Sequence, residues 1–335
     1  MATRRVFMAG AASVAVVAGL PLRANAPDWG RVIDAAHPLD QMRGIVIAHK
    51  GDVVVAEALR GPALERPVNI KSVSKTIVGA LTGAAVDRGI VSGVTATLGD
   101  VAPGLIPAGA DPRVAGLTLE HLVTMQAGLE RTSGAQYGPW VASRNWVANA
   151  LSRPFVAEPG QGMLYSTGSF HVLGAALAEV SGRSLLALTR DWLGNPLGIE
   201  VPPWTRDPQG YFLGGNEMAL SPMAMLRFAE MTRMGGEWGG ARVLSPDWMA
   251  AAMVPRTRSQ FSGLAYGYGW FLGQADGTRF ALARGYGGQV IAVAPERALS
   301  IVITSDPTRP ARSGGYFGDL MTLIGDVILP LSRAA

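Results

Sequence analysis

The pattern of hydrophobic and polar positions predicts strands at both ends of this chain. Near the start, two β-branched runs within Arg43–Gly61 flank the turn Lys50–Asp52, which is the pattern of a β-hairpin. Strand character returns late in the chain, in segments 268–274, 278–285 and 289–305.

Helices are predicted between these strands and at the C-terminus. Ser72 opens an apolar segment that extends to Arg88 with helical spacing. Several further segments have apolar residues at helical spacing, and most are bounded by serine or glycine. They are 117–129, 166–182, 221–236 and 317–331.

Strands at both ends and helices in the middle predict an α+β fold. The economical packing is one antiparallel sheet from both chain ends, about 35–88 and 258–332, flanked by helices, with an inserted mostly helical domain at about 89–257. The crevice between the two parts is where we expect a functional site.

The N-terminus has the pattern of an export signal. Arg4 and Arg5 precede an apolar stretch, and the small residues Ala24–Ala26 suggest a cleavage site. The Thr-Arg-Arg-x-Phe start resembles the bacterial twin-arginine signal. Because Gly and Pro interrupt the short apolar stretch, a membrane anchor is the less favoured interpretation. We therefore expect residues 1–26 to be recognised by the twin-arginine translocation machinery and removed. The mature chain 27–335 would then be periplasmic or secreted, without a stable membrane anchor.

Composition and charge exclude several classes of function. Loss of residues 1–26 would lower the formal net charge from +4 to about +1, and no basic stripe suggests a nucleic acid partner. The chain has no cysteine, and its four histidines lack metal-ligand spacing, so we expect no metal site and no cofactor. We interpret His121 and His171 as packing residues within helices. The absence of a Gly-x-Ser-x-Gly motif disfavours an α/β-hydrolase.

Ser72 and Lys75 are the candidate catalytic pair. On a helix, residues three apart share a face, with Cβ atoms about 5–6 Å apart. A serine hydroxyl needs a base, and a lysine can act as one where burial lowers its pKa, whereas an arginine stays protonated. Only three lysines occur in the chain, and the other two are Lys50 and Lys71. Ser72 as a simple helix N-cap is the alternative interpretation. We interpret Lys71 as a solvated or loop charge.

Other segments follow SVSKT (72–76) in a recognisable order. They are LTLEHLVTMQAGLE (117–130), EPGQGMLYSTGSFHVLGAAL (158–177), DPQGYFLGGNEMALSPMAMLRFAEM (207–231) and ARGYGGQVIAVAPERALSIVITS (283–305). Together they resemble the serine β-lactamase and penicillin-recognising superfamily, in its class C and family VIII esterase-like branch. Within it, they are most similar to 6-aminohexanoate-dimer hydrolase-like serine hydrolases. The resemblance covers residues from about 35 to 330 and implies a β-lactamase/transpeptidase-like fold.

The resemblance implies roles for residues in two further motifs. Tyr165 would share protons with Ser72 and Lys75, whereas Thr167 stands where the family has an asparagine. We expect Ser166 and Thr167 to cap the following helix. In the third motif, Ala283 replaces the family lysine. Gly285 would allow close backbone approach, and the N–H of the next residue, Tyr286, would then form the oxyanion hole with the N–H of Ser72.

The third motif leaves two questions open. A register shifted by two would make Gly288 the oxyanion donor instead of Tyr286. Arg284 either supplies positive charge to a substrate or faces solvent, and Gly285 would allow the strand to approach closely.

The resemblance also indicates residues that would line the substrate pocket. Asn216 follows a Gly-Gly pair and is either a pocket residue or a turn asparagine. Tyr137 and Trp140 are candidate pocket aromatics, with packing as the alternative.

These observations predict an exported serine hydrolase that cleaves a small ester or amide through an acyl-enzyme on Ser72. Within the same family, a β-lactamase or D-alanyl-D-alanine carboxypeptidase is the alternative. Thr167 and Ala283 depart from the lactam-recognising pattern and favour the first interpretation. A non-catalytic envelope protein that binds peptidoglycan fragments is the alternative from another class. A binding module, however, has no need of Ser72, Lys75 and Tyr165 together.

Overall fold

The computed structural model describes residues 27–333. The predicted export signal, residues 1–26, lies outside these residues, so its interpretation stays a prediction. No single helix within 27–333 is long and apolar enough to cross a membrane, and one helix pair bent by 85°, Thr167–Ser181 with Leu185–Leu197, passes that test jointly.

Strands in residues 27–333 come from both ends of the chain and from a few short pairings between them. They are β1 (Met42–His49), β2 (Asp52–Glu57), β3 (Val68–Asn69), β4 (Ala219–Leu220), β5 (Glu237–Trp238), β6 (Ala241–Arg242), β7 (Thr257–Arg258), β8 (Ala265–Tyr266), β9 (Phe271–Ala275), β10 (Thr278–Gly285), β11 (Gln289–Ala294) and β12 (Leu299–Ser305).

Eight of these strands form one antiparallel sheet in the order β2-β1-β12-β11-β10-β9-β8-β7. The N-terminal hairpin therefore joins the C-terminal strands through the β1–β12 pairing, in which Ile45 lies opposite Ile303. The sheet confirms the α+β fold predicted from the chain ends. The two-residue turn Lys50–Gly51 joins β1 to β2 with φ angles of 54° and 91°, which confirms the predicted hairpin.

The helices of the described chain include several of only one or two turns. They are α1 (Gly30–Ala36), α2 (Ser74–Asp87), α3 (Leu98–Val101), α4 (Leu119–Val123), α5 (Tyr137–Val141), α6 (Trp146–Leu151), α7 (Thr167–Ser181), α8 (Leu185–Thr189), α9 (Asn195–Leu197), α10 (Pro222–Arg233), α11 (Pro246–Ala252), α12 (Tyr316–Thr322) and α13 (Leu329–Leu331). Single π-helical segments, Arg190–Gly194 and Leu323–Ile328, continue α8 into α9 and α12 into α13.

Most predicted helices are confirmed, but the helix over 117–129 is wrong in extent. A capping box at Thr118 starts α4, which ends after Val123. Met125 then takes a left-handed conformation, with φ 56°. Gly128 follows with φ 78°, and a Cβ there would lie 2.3 Å from the Ala157 carbonyl oxygen. The chain turns here because it packs against a neighbouring loop, which the apolar spacing alone does not reveal.

Packing of the helices on the sheet creates the cleft. Helix α10 packs against β1, β11 and β12, and α2 packs against α7 and β10. Short strands β3 and β4 pair with each other and place the segment after Gly214 beside the segment before Ser72. Parts far apart in sequence thus meet at one end of α2.

Candidate active site

Ser72 lies in a 3-10 turn, Lys71–Val73, that leads directly into α2. The regular helix therefore begins at Ser74, two residues later than predicted. The Ser74 hydroxyl donates to the Lys71 carbonyl oxygen and accepts the Met218 N–H at 3.1 Å, which ties the turn to the segment after Gly214. This turn leaves Ser72 partly exposed to the cleft.

Helix α2 is held in place by close contacts along its length. A Cβ at Gly83 would lie 2.4 Å from the Trp248 ring, and one at Gly79 would lie 3.0 Å from the Tyr268 carbonyl oxygen. The Thr76 hydroxyl donates to the Gly269 carbonyl oxygen at 2.6 Å. Because small residues bring the neighbouring segments this close, the helix has little freedom to shift.

Lys75 is buried and contacts the Ser72 hydroxyl. Its Nζ lies 3.1 Å from Ser72 Oγ, 3.2 Å from Thr167 Oγ1 and 2.6 Å from the Gly215 carbonyl oxygen. Lys75 is 2% exposed, and burial lowers its pKa from 10.5 to about 7. A substantial fraction of this amine is therefore neutral at neutral pH.

Tyr165 completes the group that the sequence predicted. Its ring centroid lies 4.9 Å from Lys75 Nζ. Burial raises the pKa of the phenol, while hydrogen bonding with Ser72 and the positive charge of Arg284 oppose that rise. The structure thus brings Ser72, Lys75 and Tyr165 together, with the phenol protonated at neutral pH.

The end of β10 lies against the turn that carries Ser72. A Cβ at Gly285 would lie 2.5 Å from the Ile70 carbonyl oxygen, so only glycine allows this approach. In the part of the chain described, the Tyr286 N–H has no hydrogen-bond partner. By contrast, the Gly288 N–H donates to the Gly285 carbonyl oxygen at 3.2 Å, and a Cβ at Gly288 would meet the Tyr316 ring. This geometry favours Tyr286 over Gly288 as an oxyanion donor.

Arg284 lines the cleft instead of extending into solvent. Its guanidinium lies 3.5 Å from the centroid of the Phe317 ring and donates to Ala311 O at 3.0 Å and Ser313 Oγ at 3.2 Å. Burial lowers its pKa. Within residues 27–333, no carboxylate forms a salt bridge with it. The guanidinium is a fixed, uncompensated positive charge at the cleft.

Asn216 and Tyr137 lie opposite, on the helical side of the cleft. Asn216 Nδ2 donates to the Tyr137 hydroxyl at 2.9 Å and to Glu217 Oε1 at 3.1 Å. Asn216 Oδ1 is buried without a hydrogen-bond partner in the described chain. Trp140, the other candidate pocket aromatic, is fully buried against Trp146, which favours the packing alternative for it.

One cavity of about 510 Å³, which is large enough for a small organic substrate, is lined by Ser72, Tyr137, Tyr165, Thr167, Asn216, Arg284, Gly285 and Tyr286 among others. Phe261, 65% exposed, lies at its edge within 5.3 Å of the Arg131 guanidinium. The cavity lining combines the predicted site residues with residues that sequence reasoning missed. The missed ones are Lys71, Ser133, Gly134, Glu217, Ser259, Phe261, Ser262, Phe271, Pro307 and Ala311.

Ser166 and Thr167 do not cap α7, contrary to the prediction. Instead, the Thr167 N–H donates to Ser133 Oγ at 2.9 Å, and the Gly168 N–H donates to Thr132 Oγ1 at 2.7 Å. The side chains of Ser166 and Thr167 are thereby released for other contacts. Thr167 Oγ1 contacts both Lys75 Nζ and Ser133 Oγ. Local sequence cannot reveal a cap that comes from a loop 34 residues earlier in the chain.

Lys71 is an ion-paired residue of the cavity wall, so its interpretation as a solvated or loop charge is wrong. Its Nζ donates to Glu217 Oε1 at 2.9 Å, and the side chains are 19% and 24% exposed. Asn69 Nδ2 donates to the other oxygen of Glu217 at 2.5 Å. The Gly-Gly pair before Asn216 serves a different contact, since a Cβ at Gly215 would lie 2.8 Å from the Thr167 carbonyl oxygen of α7.

His171 is fully buried, as expected of a packing residue, but it has a polar role as well. Its Nε2 lies 3.0 Å from Asp207 Oδ2, and the other Asp207 oxygen accepts the Gln209 and Tyr211 N–H groups at 2.9 Å. This pair fastens the loop before Gly214 to α7. Among residues 27–333, no cluster of His, Asp and Glu has the arrangement of a metal site.

Comparison with known proteins gives the family context of this site. The sequence model of the family described as Beta-lactamase matches residues 34–321. No curated protein matches the sequence. Solved structures share the fold. A Bacillus anthracis protein assigned as a 6-aminohexanoate-dimer hydrolase has 16% identity and a TM-score of 0.75, with 91% of this chain and 81% of that one covered.

Two further structures show the same fold. The hydrolase EstCE1, described as having promiscuous acyltransferase activity, is 21% identical, with a TM-score of 0.72 over 91% of this chain and 97% of its own. A β-lactamase from Mycobacterium bovis is 19% identical, with a TM-score of 0.63 over 86% and 94% of the two chains. At these identities the likeness concerns the β-lactamase/transpeptidase-like fold.

Proposed function

This chain belongs to the β-lactamase family of serine hydrolases, and we propose that it is an exported enzyme that cleaves a small ester or amide through an acyl-enzyme on Ser72. The observation that carries the proposal is the 3.1 Å distance between Lys75 Nζ and Ser72 Oγ. The lysine is buried, and its pKa of about 7 makes the neutral amine available as a base.

In the acylation step, Ser72 Oγ forms a bond to the substrate carbonyl carbon. Its proton passes to the neutral amine of Lys75, which becomes an ammonium. The bond from the carbonyl carbon to the leaving group then breaks. The leaving group takes a proton from the Tyr165 phenol, which is replenished from Lys75. The raised pKa of Tyr165 supports its role as a proton donor at neutral pH.

In the second step, water attacks the ester carbon of the acyl-enzyme. Lys75 and Tyr165 take the water proton and return one to Ser72 Oγ, which releases the acid product. The N–H groups of Ser72 and Tyr286 stabilise the negative oxygen in both steps. The unpartnered Tyr286 N–H and the close approach allowed by Gly285 support this assignment.

Substrate recognition is proposed to use both walls of the cavity. Arg284 would bind an anionic or strongly polar group, because its guanidinium has free donors and no carboxylate partner in the described chain. On the opposite wall, Asn216 and Tyr137 would contact the other end of the substrate, and the unpartnered Asn216 Oδ1 is suited to an N–H donor. Gly285 would contact the substrate through its backbone.

We favour esters and small linear amides over β-lactams and D-alanyl peptides. Thr167 replaces the family asparagine, and Ala283 replaces the family lysine. The hydrolase names among the structural neighbours support this general class without deciding the substrate.

A fluorophosphonate probe tests the mechanism directly. We expect covalent label on Ser72 in the wild-type protein and none in Ser72→Ala, located by mass spectrometry of the labelled peptide. Absence of label in a folded wild-type protein would contradict the mechanism. Parallel assays with p-nitrophenyl acetate, short linear amides and nitrocefin separate the substrate classes.

Export is proposed from the sequence of residues 1–26. Arg4 and Arg5 form the expected recognition pair of a twin-arginine signal. The test is fractionation of cells that express the full chain. We expect the processed protein in the periplasm or medium, and accumulation of the precursor when both arginines are replaced by lysine. Unchanged export of that variant would argue against the twin-arginine route.

A further inference from the structure

A short chain of hydroxyl groups leads from Lys75 to the cavity wall. Lys75 Nζ lies 3.2 Å from Thr167 Oγ1, and Thr167 Oγ1 lies 2.9 Å from Ser133 Oγ. Thr167 is 4% exposed and Ser133 is 9% exposed, and both line the substrate cavity. The mechanism proposed above requires neither hydroxyl to react.

The neutral amine of Lys75 has two N–H donors and one lone pair, and its three neighbours must share them. The Gly215 carbonyl oxygen can only accept, so it takes one N–H over 2.6 Å. One N–H and the lone pair remain for Thr167 and Ser72. If Thr167 accepts the second N–H, the lone pair faces the Ser72 hydroxyl. If Thr167 donates instead, the lone pair is occupied and Lys75 cannot take the Ser72 proton.

The direction of the Thr167 hydroxyl depends on Ser133. Ser133 Oγ already accepts the Thr167 N–H at 2.9 Å and has a second lone pair for the Thr167 hydroxyl proton. The proton of Ser133 is then free to point into the cavity. An acceptor group on a bound substrate would hold the Ser133 proton there. The hydrogen bonds from Lys75 through Thr167 to Ser133 would then all run in the same direction.

We propose that Thr167 and Ser133 are positioning residues that aim the lone pair of Lys75 at Ser72. This inference rests on the serine hydrolase mechanism proposed above. It gives a role to Thr167, which stands where the family has an asparagine. Toward Lys75 a hydroxyl can either donate or accept, so a second hydroxyl has to fix its direction, and Ser133 supplies it.

Several charged or ionisable groups surround the hydroxyl groups of Thr167 and Ser133, and these groups stay the same in the variants below. They are the phenols of Tyr165 and Tyr266, the guanidinium of Arg284 and the Lys71–Glu217 ion pair. Within 27–333, Lys75 forms no salt bridge with a carboxylate, so burial is the cause of its lowered pKa.

The experiment measures kcat/KM for p-nitrophenyl acetate as a function of pH in the full chain. For Thr167→Val we expect a loss of about tenfold to hundredfold, because the base keeps its place but loses its orientation. The acidic limb of the profile should also move to lower pH, since the ammonium form of Lys75 loses one acceptor. Ser133→Ala should lower kcat/KM by about tenfold or more, because the Thr167 proton loses its acceptor. Thr167→Ser should restore activity to within about threefold of wild type.

Thr132→Ala is the matched control. Thr132 caps the same helix through the Gly168 N–H at 2.7 Å. It makes no hydrogen bond to Lys75 or to Ser133. We expect it to lower Tm about as much as Ser133→Ala does, while kcat/KM and the acidic limb stay near those of wild type.

The inference would be overturned if Ser133→Ala and Thr167→Val matched Thr132→Ala in kcat/KM and in the position of the acidic limb. If Thr167→Val fails to fold, the comparison of Ser133→Ala with Thr132→Ala decides the question. Fluorophosphonate labelling separates this failure from failure of the mechanism. Wild-type protein that labels on Ser72, with equal labelling rates in all variants, refutes only the positioning role. Wild-type protein that does not label refutes the mechanism itself.

Discussion

Lys71 and Glu217 form an ion pair at 2.9 Å, and both residues have left-handed backbone conformations, with φ of 50° and 66°. Such conformations are uncommon outside glycine and persist where surrounding contacts enforce them. Lys71 immediately precedes Ser72, and Glu217 immediately follows Asn216. The pair therefore fastens the turn that carries Ser72 to the opposite wall of the cavity.

Glu217→Gln should weaken this connection while preserving side-chain shape. We expect the free energy of unfolding to fall by about 1–3 kcal/mol, because Lys71 keeps its charge in a partly buried position without its partner. Chemical denaturation measures the effect. The control is Asp191→Asn, which breaks the exposed Arg183–Asp191 pair at 3.1 Å and should cost less than about 0.5 kcal/mol. Equal effects of the two substitutions would contradict the fastening role.

Lys75→Arg should abolish most activity although the positive charge is retained. A guanidinium stays protonated and cannot accept the Ser72 proton. We expect kcat to fall by about 10²–10⁴, the contribution typical of general base catalysis. Initial rates with p-nitrophenyl acetate give the result, and circular dichroism checks that the variant is folded. Activity near that of wild type would show that Lys75 is not the base.

The pH dependence of activity should follow the ionisation of Lys75. Because the neutral amine is the active form and its pKa is about 7, kcat/KM should rise with pH and reach half its maximum near that value. Rates are measured with correction for spontaneous ester hydrolysis. A profile that is flat across neutral pH would be inconsistent with this base.

The same group should affect stability in a defined pH window. Its pKa is about 7 in the folded chain and 10.5 when exposed. Between these values the unfolded state binds more protons, so the free energy of unfolding should rise with pH. Below the window both states are charged, and the folded state carries the full cost of the buried charge. Lys75→Met lacks this group, so the stability of wild type relative to Lys75→Met should increase from pH 7 to pH 10.5. A constant difference would mean that the pKa of Lys75 is the same in the folded and the unfolded chain.

Gly285→Ala should lower kcat, although it adds only a single methyl group. That Cβ would lie 2.5 Å from the Ile70 carbonyl oxygen and would move the strand away from the Ser72 turn. We expect kcat to fall by about 10²-fold or more, because the Tyr286 N–H would lose its alignment with the substrate oxygen. Gly104→Ala is the control, since no atom lies within 4 Å of its added Cβ. A normal kcat in Gly285→Ala would place the oxyanion donor elsewhere.

Arg284→Gln should change substrate preference more than turnover. Ester substrates that carry a carboxylate should show KM values raised about tenfold, because they lose a charge-assisted hydrogen bond. Uncharged esters of the same size should be nearly unaffected. Steady-state kinetics with such matched pairs decides the point. Equal changes in KM for both members of a pair would mean that Arg284 does not contact the substrate anion.

The sequence by itself determined the fold class and the chemical centre. Strand runs at both chain ends required a sheet that both ends share, because each run must bury its apolar face. The spacing of Ser72 and Lys75 predicted that their side chains share a face, and the 3-10 turn that leads into α2 keeps them in contact. The choice of lysine over arginine pointed to a group that can be neutral. All three inferences depend only on local geometry or on residue chemistry.

Tertiary structure decided the rest of the site. The caps of α7 come from Thr132 and Ser133, so Thr167 is free to contact Lys75. Lys71 forms an ion pair with Glu217, which lies 146 residues later in the chain. This contact places Lys71 in the wall of the cavity. Neither pairing has a local pattern, because a hydrogen bond between distant segments depends on how the folded chain brings them together. The lowered pKa of Lys75 has the same origin, since burial belongs to the assembled protein and not to the helix alone.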